Sequence, residues 1–319
     1  MKLEIVVYEH AARLIDRNPW DVSRDLDLLV EAHTEAYRRY APSVIVPGID
    51  VYNLEAEAYG ASVECPNDND VPSIPHPLLD TCDAVLDLPP MSPSGDGRLQ
   101  MTLAAATELK RRLPGVPVKV PVSGPFSLLS ILIGFENLLC ETMTATAGVA
   151  AALSHLARGQ QAYARAAQSL GLDITIFESA AAPPLLSPDL FHSLVLPPLS
   201  RLISEATRSR QRPACIIGGN TLPILSDLLA LGSDFIICPA ETDQPAFLKA
   251  IPDAFKGTVR VNMRPAVFTS GDSEAMHAEA DRVAALTRQT ACASIGTGIL
   301  PYEADPADVL NVRDYLADR

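Results

Sequence analysis

Short apolar runs rich in β-branched residues recur along the chain, each ending in a small or polar residue and followed by a longer stretch of helical periodicity. The runs cover residues 43–49, 118–122, 173–177, 214–217, 234–237, 258–261 and 293–295, with 84–88 as a weaker eighth. Hydrophobicity that is continuous rather than alternating means that both faces of a strand are buried, as in a parallel sheet covered by helices. Between the runs, residues 144–169, 188–208, 222–231, 245–251 and 274–289 are rich in Ala and Leu and predict helices. This alternation predicts a single (β/α)8 TIM barrel over residues 1–319. An open doubly wound sheet is the rival; it loses support because no Gly-x-Gly-x-x-Gly follows the first strand and no Walker loop occurs. The first 40 residues predict an N-terminal helical cap, with Asn18-Pro19 as a turn and a helix over 21–37. Residues 60–100, rich in Pro, Asp and Ser, predict an insertion over one barrel end.

Composition narrows the function. The 319 residues are 48% hydrophobic and 20% charged, with a mean hydropathy of +0.14, which excludes a disordered chain. Lys and Arg total 25 against 39 Asp and Glu, a formal charge of −14 that disfavours a nucleic-acid partner. The basic groups Lys110-Arg111-Arg112 and Arg208, Arg210 and Arg212 read as solvated helix faces. Apolar runs break well before the roughly 20 residues of a membrane span, and Met1-Lys2-Leu3-Glu4 opens no signal peptide, so a cytoplasmic protein is expected. Six cysteines without a Cys-x-x-Cys pair predict reduced thiols rather than a disulfide framework or a zinc ribbon.

In a barrel the chemistry belongs at the C-terminal ends of the strands, and here those ends are polar. Asp50, Glu178, Ser179, Asn220, Glu241, Asn262, Arg264 and Thr297 all fall at or just beyond them. Asp50 and Glu178 are the candidate acid–base pair, with Glu55 and Glu57 close by on a helix or loop. Ser123-Gly124-Pro125-Phe126-Ser127 opens a helix whose free amides can hold an anion. Arg264 can grip a carboxylate bidentately or form a structural ion pair. His76, held extended between Pro75 and Pro77, is a further candidate over the mouth.

Taken in order, Val46-Pro47-Gly48-Ile49-Asp50 with Glu55-Ala56-Glu57-Ala58-Tyr59-Gly60, Gly95-Asp96-Gly97-Arg98-Leu99, Ser123-Gly124-Pro125-Phe126-Ser127, Gly219-Asn220-Thr221 and Gly296-Thr297-Gly298 resemble the uroporphyrinogen decarboxylase superfamily. That superfamily also contains corrinoid-linked and thiol-directed methyltransferases. The resemblance implies a TIM barrel, a small-molecule substrate and, as in many members, a homodimer. In the methyltransferase branch a His-x-Cys pair and a later Cys hold zinc. Ile216, Gly218 and Thr297 stand at those positions here, so zinc is not expected, with Cys238 beside Glu241 a weak replacement. Strand alternation turns Cys215 away from the barrel axis. In the decarboxylase branch Asp50 matches the aspartate that binds pyrrole N–H groups, and Ser179 matches a substrate-binding serine. Ile131 and Thr297 replace that branch's Tyr and His, and its N-terminal Arg-x-x-x-Arg is missing.

The first reading is therefore a methyltransferase-type C1 enzyme acting on a small substrate without the usual zinc, Asp50 and Glu178 being catalytic and Ser179, Asn220, Glu241, Asn262, Arg264, His76 and Thr297 binding substrate. A corrinoid, if used, is carried on a separate protein, because no Asp-x-His-x-x-Gly motif is present. The alternatives are a decarboxylase of uroporphyrinogen or another carboxylated substrate using Asp50, and a non-catalytic ligand-binding barrel.

Overall fold

The computed structural model describes residues 1–95, 97–208, 212–288 and 290–319; Asp96, Arg210 and Gln289 of the motifs and helices above lie outside the described residues. Seven parallel strands and one bridging residue surround a common axis. They are β1 (Leu3–Val6), β2 (Lys119–Ser123), β3 (Asp173–Phe177), β4 (Ala214–Ile216), β5 (Phe235–Cys238), β6 (Thr258–Asn262) and β7 (Ala293–Ile299). One arc runs β1-β7-β6-β5, the other β2-β3-β4. Ile45 extends the second arc through a parallel bridge to Val118 and supplies the eighth staff of the barrel. The Ser43 hydroxyl bonds to Glu4 on β1, and β4 lies beside β5, so both seams between the arcs are closed by contact.

The pleat assigns every strand residue to one of two environments. Ile174 and Ile176 of β3 point out into a core shared with the flanking helices, as do Ile236 and Cys238 of β5 and Val259 and Val261 of β6. Thr175, Phe177, Ile216, Phe235 and Arg260 point inward. Cys215 lies in the outer core, as alternation required.

Three expectations are corrected. The first 40 residues are not wholly a helical cap: Leu3–Val6 is the first strand, paired with β7 through Leu3↔Ile295 and Val6↔Ile299. Residues 43–49 contribute only Ile45, because Pro42 and Pro47 flank it and proline cannot donate to a ladder. Residues 84–88 are no strand; Thr81 caps the short helix Cys82–Val85 there by accepting from Ala84 N.

The expected helices form, with local breaks in three of them; in 222–231 a 3-10 turn, Leu222–Ile224, precedes the helix Leu225–Ala230. Asp25 ends Pro19–Arg24 and caps Leu26–Tyr40 by accepting from Leu28 N at 2.9 Å. Residues 188–208 contain a π turn, Phe191–Val195, before Leu196–Glu205. Pro197 and Pro198 lack the N–H groups that regular i→i−4 bonds there would need. In the 60–100 segment, Glu64 pairs antiparallel with Ser73, and Pro72 O accepts from Asn53 Nδ2 at 2.7 Å, which ties the segment to the strand end at Asp50.

Candidate functional site

Asp50 stands where the chain leaves the Ile45 staff. Arg98, at the N-terminus of the helix Leu99–Arg112, grips it bidentately: Nη1 to Oδ1 and Nη2 to Oδ2, both 2.7 Å. Asn53 Nδ2 donates to Oδ2 as well, at 3.0 Å. The Asp50 side chain is 1% exposed. Arg98 Nε also donates to Glu57, and Arg24 Nη1 reaches the other Glu57 oxygen at 2.9 Å. Two acids and two guanidiniums thus neutralise one another. Burial works against the charge of Arg98, but the hydrogen bonds and charges of Asp50 and Glu57 outweigh it and raise its pKa.

Glu178 follows Phe177 and turns toward the neighbouring strand end. Its Oε2 accepts from Phe126 N at 3.1 Å and its Oε1 from Ser127 N at 2.6 Å. The helix-opening amides that the sequence offers to an anion are therefore filled by the protein's own carboxylate. Gly124 is required by this approach, since a Cβ there would stand 2.1 Å from Glu178 Oε2. Glu55 makes a matching contact on the other side, accepting from Ser123 N at 2.6 Å and Ser123 Oγ at 2.9 Å. Both carboxylates are fully buried, and burial, opposed by these donors, pushes each pKa up to about 7.

Ser179 differs in kind. Its Oγ accepts from Tyr52 OH at 2.8 Å and from Gly218 N at 3.0 Å. Both acceptor positions of the hydroxyl are used, which leaves its own proton to be donated. Tyr52 and Ser179 are half-buried at the mouth, and burial pushes the Tyr52 phenol up to about 12, so it stays a donor at neutral pH. Tyr52 packs edge-on against Phe177 (6.0 Å), and Phe177 against Tyr8 (5.7 Å). These rings plug the barrel below Ser179.

The remaining candidates scatter. Arg264, exposed, pairs with Glu279 at 3.3 Å, the structural alternative foreseen for it. Asn262 accepts from Arg260 Nε at 3.0 Å inside the barrel. Thr297, buried, accepts from Val6 N at 3.1 Å and donates to Gly298 O at 2.6 Å. Asn220 accepts from Thr242 Oγ1 at 3.0 Å at the surface, and Glu241 and His76 are exposed. Cys238 faces the outer core, where burial pushes its thiol up to about 12, so it does not converge with exposed Glu241. Ile216, Gly218 and Thr297 supply no thiolate or imidazole, and no three metal-ligating side chains converge among the described residues. The donor set does not fit the zinc of the methyltransferase branch.

Two residues of this network were not singled out by sequence reasoning: Tyr52 and Arg98. Arg98 lies inside one of the motifs quoted above and Tyr52 between two of them, but nothing local pairs Tyr52 with Ser179, 127 positions away, or Arg98 with Asp50, 48 away.

A family model described as uroporphyrinogen decarboxylase (URO-D) matches residues 5–316. No curated protein matches the chain by sequence. Among solved structures, a methyltransferase from Methanosarcina mazei is similar with a TM-score of 0.79 at 19% identity, over 98% of this chain and 94% of that one. A Listeria monocytogenes protein assigned as a vitamin-B12 independent methionine synthase is similar with a TM-score of 0.51 at 12% identity, over 99% and 96%. At these identities the likeness is one of fold. Among the described residues, no single helix is long and apolar enough to cross a membrane.

Proposed function

Because the chain belongs to the uroporphyrinogen decarboxylase (URO-D) family, we propose that it is an enzyme of the family's methyltransferase type, acting on a small oxygen-bearing substrate at the C-terminal mouth of the barrel. The observation that carries this reading is the uncommitted proton of Ser179, whose oxygen already accepts from Tyr52 and Gly218. The hydroxyl donates to a substrate oxygen. As an O–CH3 bond breaks, charge develops on that oxygen, and a donor fixed in place stabilises it more than it does the ground state. Tyr52 and the Gly218 amide polarise Ser179 and hold it in one orientation. The methyl group passes to a nucleophile on a second molecule, a corrinoid carried by a separate protein being one such acceptor, and the released oxygen takes up a proton.

In this scheme Asp50 and Glu178 are positioning residues. Asp50 anchors the loop that carries Tyr52, and Glu178 fixes the Gly124–Ser127 turn and the start of the segment carrying Ser179. No step passes through zinc. The decarboxylase alternative needs Asp50 to accept N–H groups from a ligand, but both of its oxygens already accept from Arg98.

The test is methyl transfer from 13C-labelled methanol and methyl ethers to reduced cobalamin or a thiol, followed by NMR. Ser179→Ala is expected to lower kcat/KM by roughly 10- to 100-fold, about 1.4–2.7 kcal/mol of transition-state stabilisation. Turnover equal to the wild type in that variant would sink the assignment. Labelled carbon dioxide released from a carboxylic-acid panel would favour the decarboxylase instead.

A further inference from the structure

Below the plug of Tyr8, Phe177 and Tyr52 the barrel is not filled. TIM-barrel interiors are ordinarily closed by layers of bulky side chains. Here the inward residues leave a cavity of about 380 Å³, reaching from Phe177 down to Lys119 and Asp173 at the N-terminal ends of β2 and β3. That size falls at the lower end of the roughly 300–1,000 Å³ common for small-molecule sites. The wall is mainly apolar, with Val6, Val44, Val46, Ile216 and Phe235 contributing to it.

Arg260 is the guanidinium that faces this space, with Glu4, Lys119 and Asp173 the other charged residues of its lining. Arg260, on β6, donates from Nε to Asn262 Oδ1 at 3.0 Å, and its Cζ stands 5.4 Å from the centre of the Phe235 ring. Among the described residues it has no carboxylate within salt-bridge distance, and its Nη atoms make no hydrogen bond. Its stem lies across Gly296, where a Cβ would come within 2.5 Å of Arg260 Cδ, so the neighbouring strand leaves room for it. Burial lowers the Arg260 pKa and outweighs Glu4, which acts on it only at longer range; a guanidinium held among apolar walls without a carboxylate in contact is costly, and a bidentate oxyanion relieves that cost. At the opening, Glu4 and Asp173 offset Lys119, so the approach does not favour a doubly charged ligand.

We propose that the axial cavity binds a small monoanionic amphiphile, a carboxylic acid with a short apolar body, its carboxylate held by the Nη pair of Arg260 and its body against Val44, Val46 and Ile216. This site enters from the opposite end of the barrel and does not depend on the reading of the mouth given above.

Hexanoate, hexanol and hexyl phosphate serve as probes, with binding followed by isothermal titration calorimetry on the full chain. Hexanoate is expected to bind at least tenfold more tightly than either of the other two. Arg260→Met is expected to weaken it at least tenfold. Ala214→Phe, which fills the cavity without touching Arg260, abolishes binding, while circular dichroism of both variants reports the fold. Ser179→Ala leaves hexanoate affinity unchanged. Equal binding of hexanol would overturn the proposal, as would a cavity holding water only, seen as no heat with millimolar hexanoate. Binding lost in Ser179→Ala but kept in Ala214→Phe would place the ligand at the mouth and overturn it as well.

Discussion

The two halves of the barrel interior spend their charges differently. At the C-terminal mouth, Asp50 is neutralised by Arg98, Glu57 by Arg98 and Arg24, and Glu178 is occupied by two helix amides, so the proposed ligand group there is a neutral hydroxyl, Ser179. Within the barrel, past the aromatic plug, the Arg260 guanidinium is held through Nε by the neutral amide of Asn262, with no carboxylate in salt-bridge contact among the described residues. A charged residue at a strand end is thus a poor guide to chemistry unless its bonds are also known. A buried carboxylate whose oxygens are occupied rigidifies the scaffold, while an unspent donor, charged or not, recognises ligands.

The largest effect that tests this contrast is Arg98→Met. It leaves Asp50 buried without its cation and Glu57 held by Arg24 alone, and breaking such a pair costs about 3–5 kcal/mol, to be read by urea unfolding. A loss below about 1 kcal/mol would mean that Asp50 is free enough to act on a ligand.

Glu55 gives the next largest. Its pKa rises on folding to about 7, so the folded state keeps its proton while the unfolded chain, near 4.5, loses it. Between those values the native state binds more protons, and this contribution to stability falls as pH rises. Glu9 and Glu178 act in the same sense, each with a pKa pushed up to about 7. His10 and His33 act oppositely, since burial holds both near 4 against 6.5 and their contribution grows as pH rises from 4 to 6.5. These opposing contributions overlap in pH, so the difference between variants carries the information. Glu55→Gln, which can still accept from Ser123 N and donate to Ser123 Oγ, should match the wild type near pH 4 and gain on it by roughly 3 kcal/mol above pH 7. A difference that stays constant with pH would show that Glu55 keeps its charge on folding.

Smaller effects follow at the mouth. Tyr52→Phe keeps the ring against Phe177 but removes one donor to Ser179, so kcat/KM is expected to fall less than about tenfold, with unfolding changed by about 1 kcal/mol. A larger loss than that of Ser179→Ala would make Tyr52 itself the group that meets substrate. Arg264→Ala should change stability by only about 0–1 kcal/mol, because Arg264 is itself exposed and Arg282 still holds the buried Glu279. A clear rise in KM there would restore Arg264 as a substrate ligand.

How much was legible depends on whether a feature is local. Residues 173–177 read as a strand and are one, because Ile174 and Ile176 bury outward while Thr175 and Phe177 line the barrel, and an apolar run satisfies both sides. Leu3–Val6 escaped, since Leu-Glu-Ile-Val with a polar second position is short and ambiguous, and only pairing with β7 makes it a strand. Residues 84–88 misled because a short apolar run suits a buried helical turn equally well. At the site, Ser179 was legible by position at a strand end; the roles of Asp50 and Glu178 were not, since the groups that occupy them lie 48 and 51–52 residues away.

The sequence by itself determined the barrel, the ends of most of its strands and the polar character of its mouth, because hydrophobic period and turn residues act over a few positions. Tertiary structure alone decided which of those polar groups are spent and which remain. Hydrogen bonds and ion pairs are short-range, and the partners that satisfy Asp50 and Glu178, or give Arg260 an amide in place of a carboxylate, are brought within about 3 Å only when the strands close around the axis.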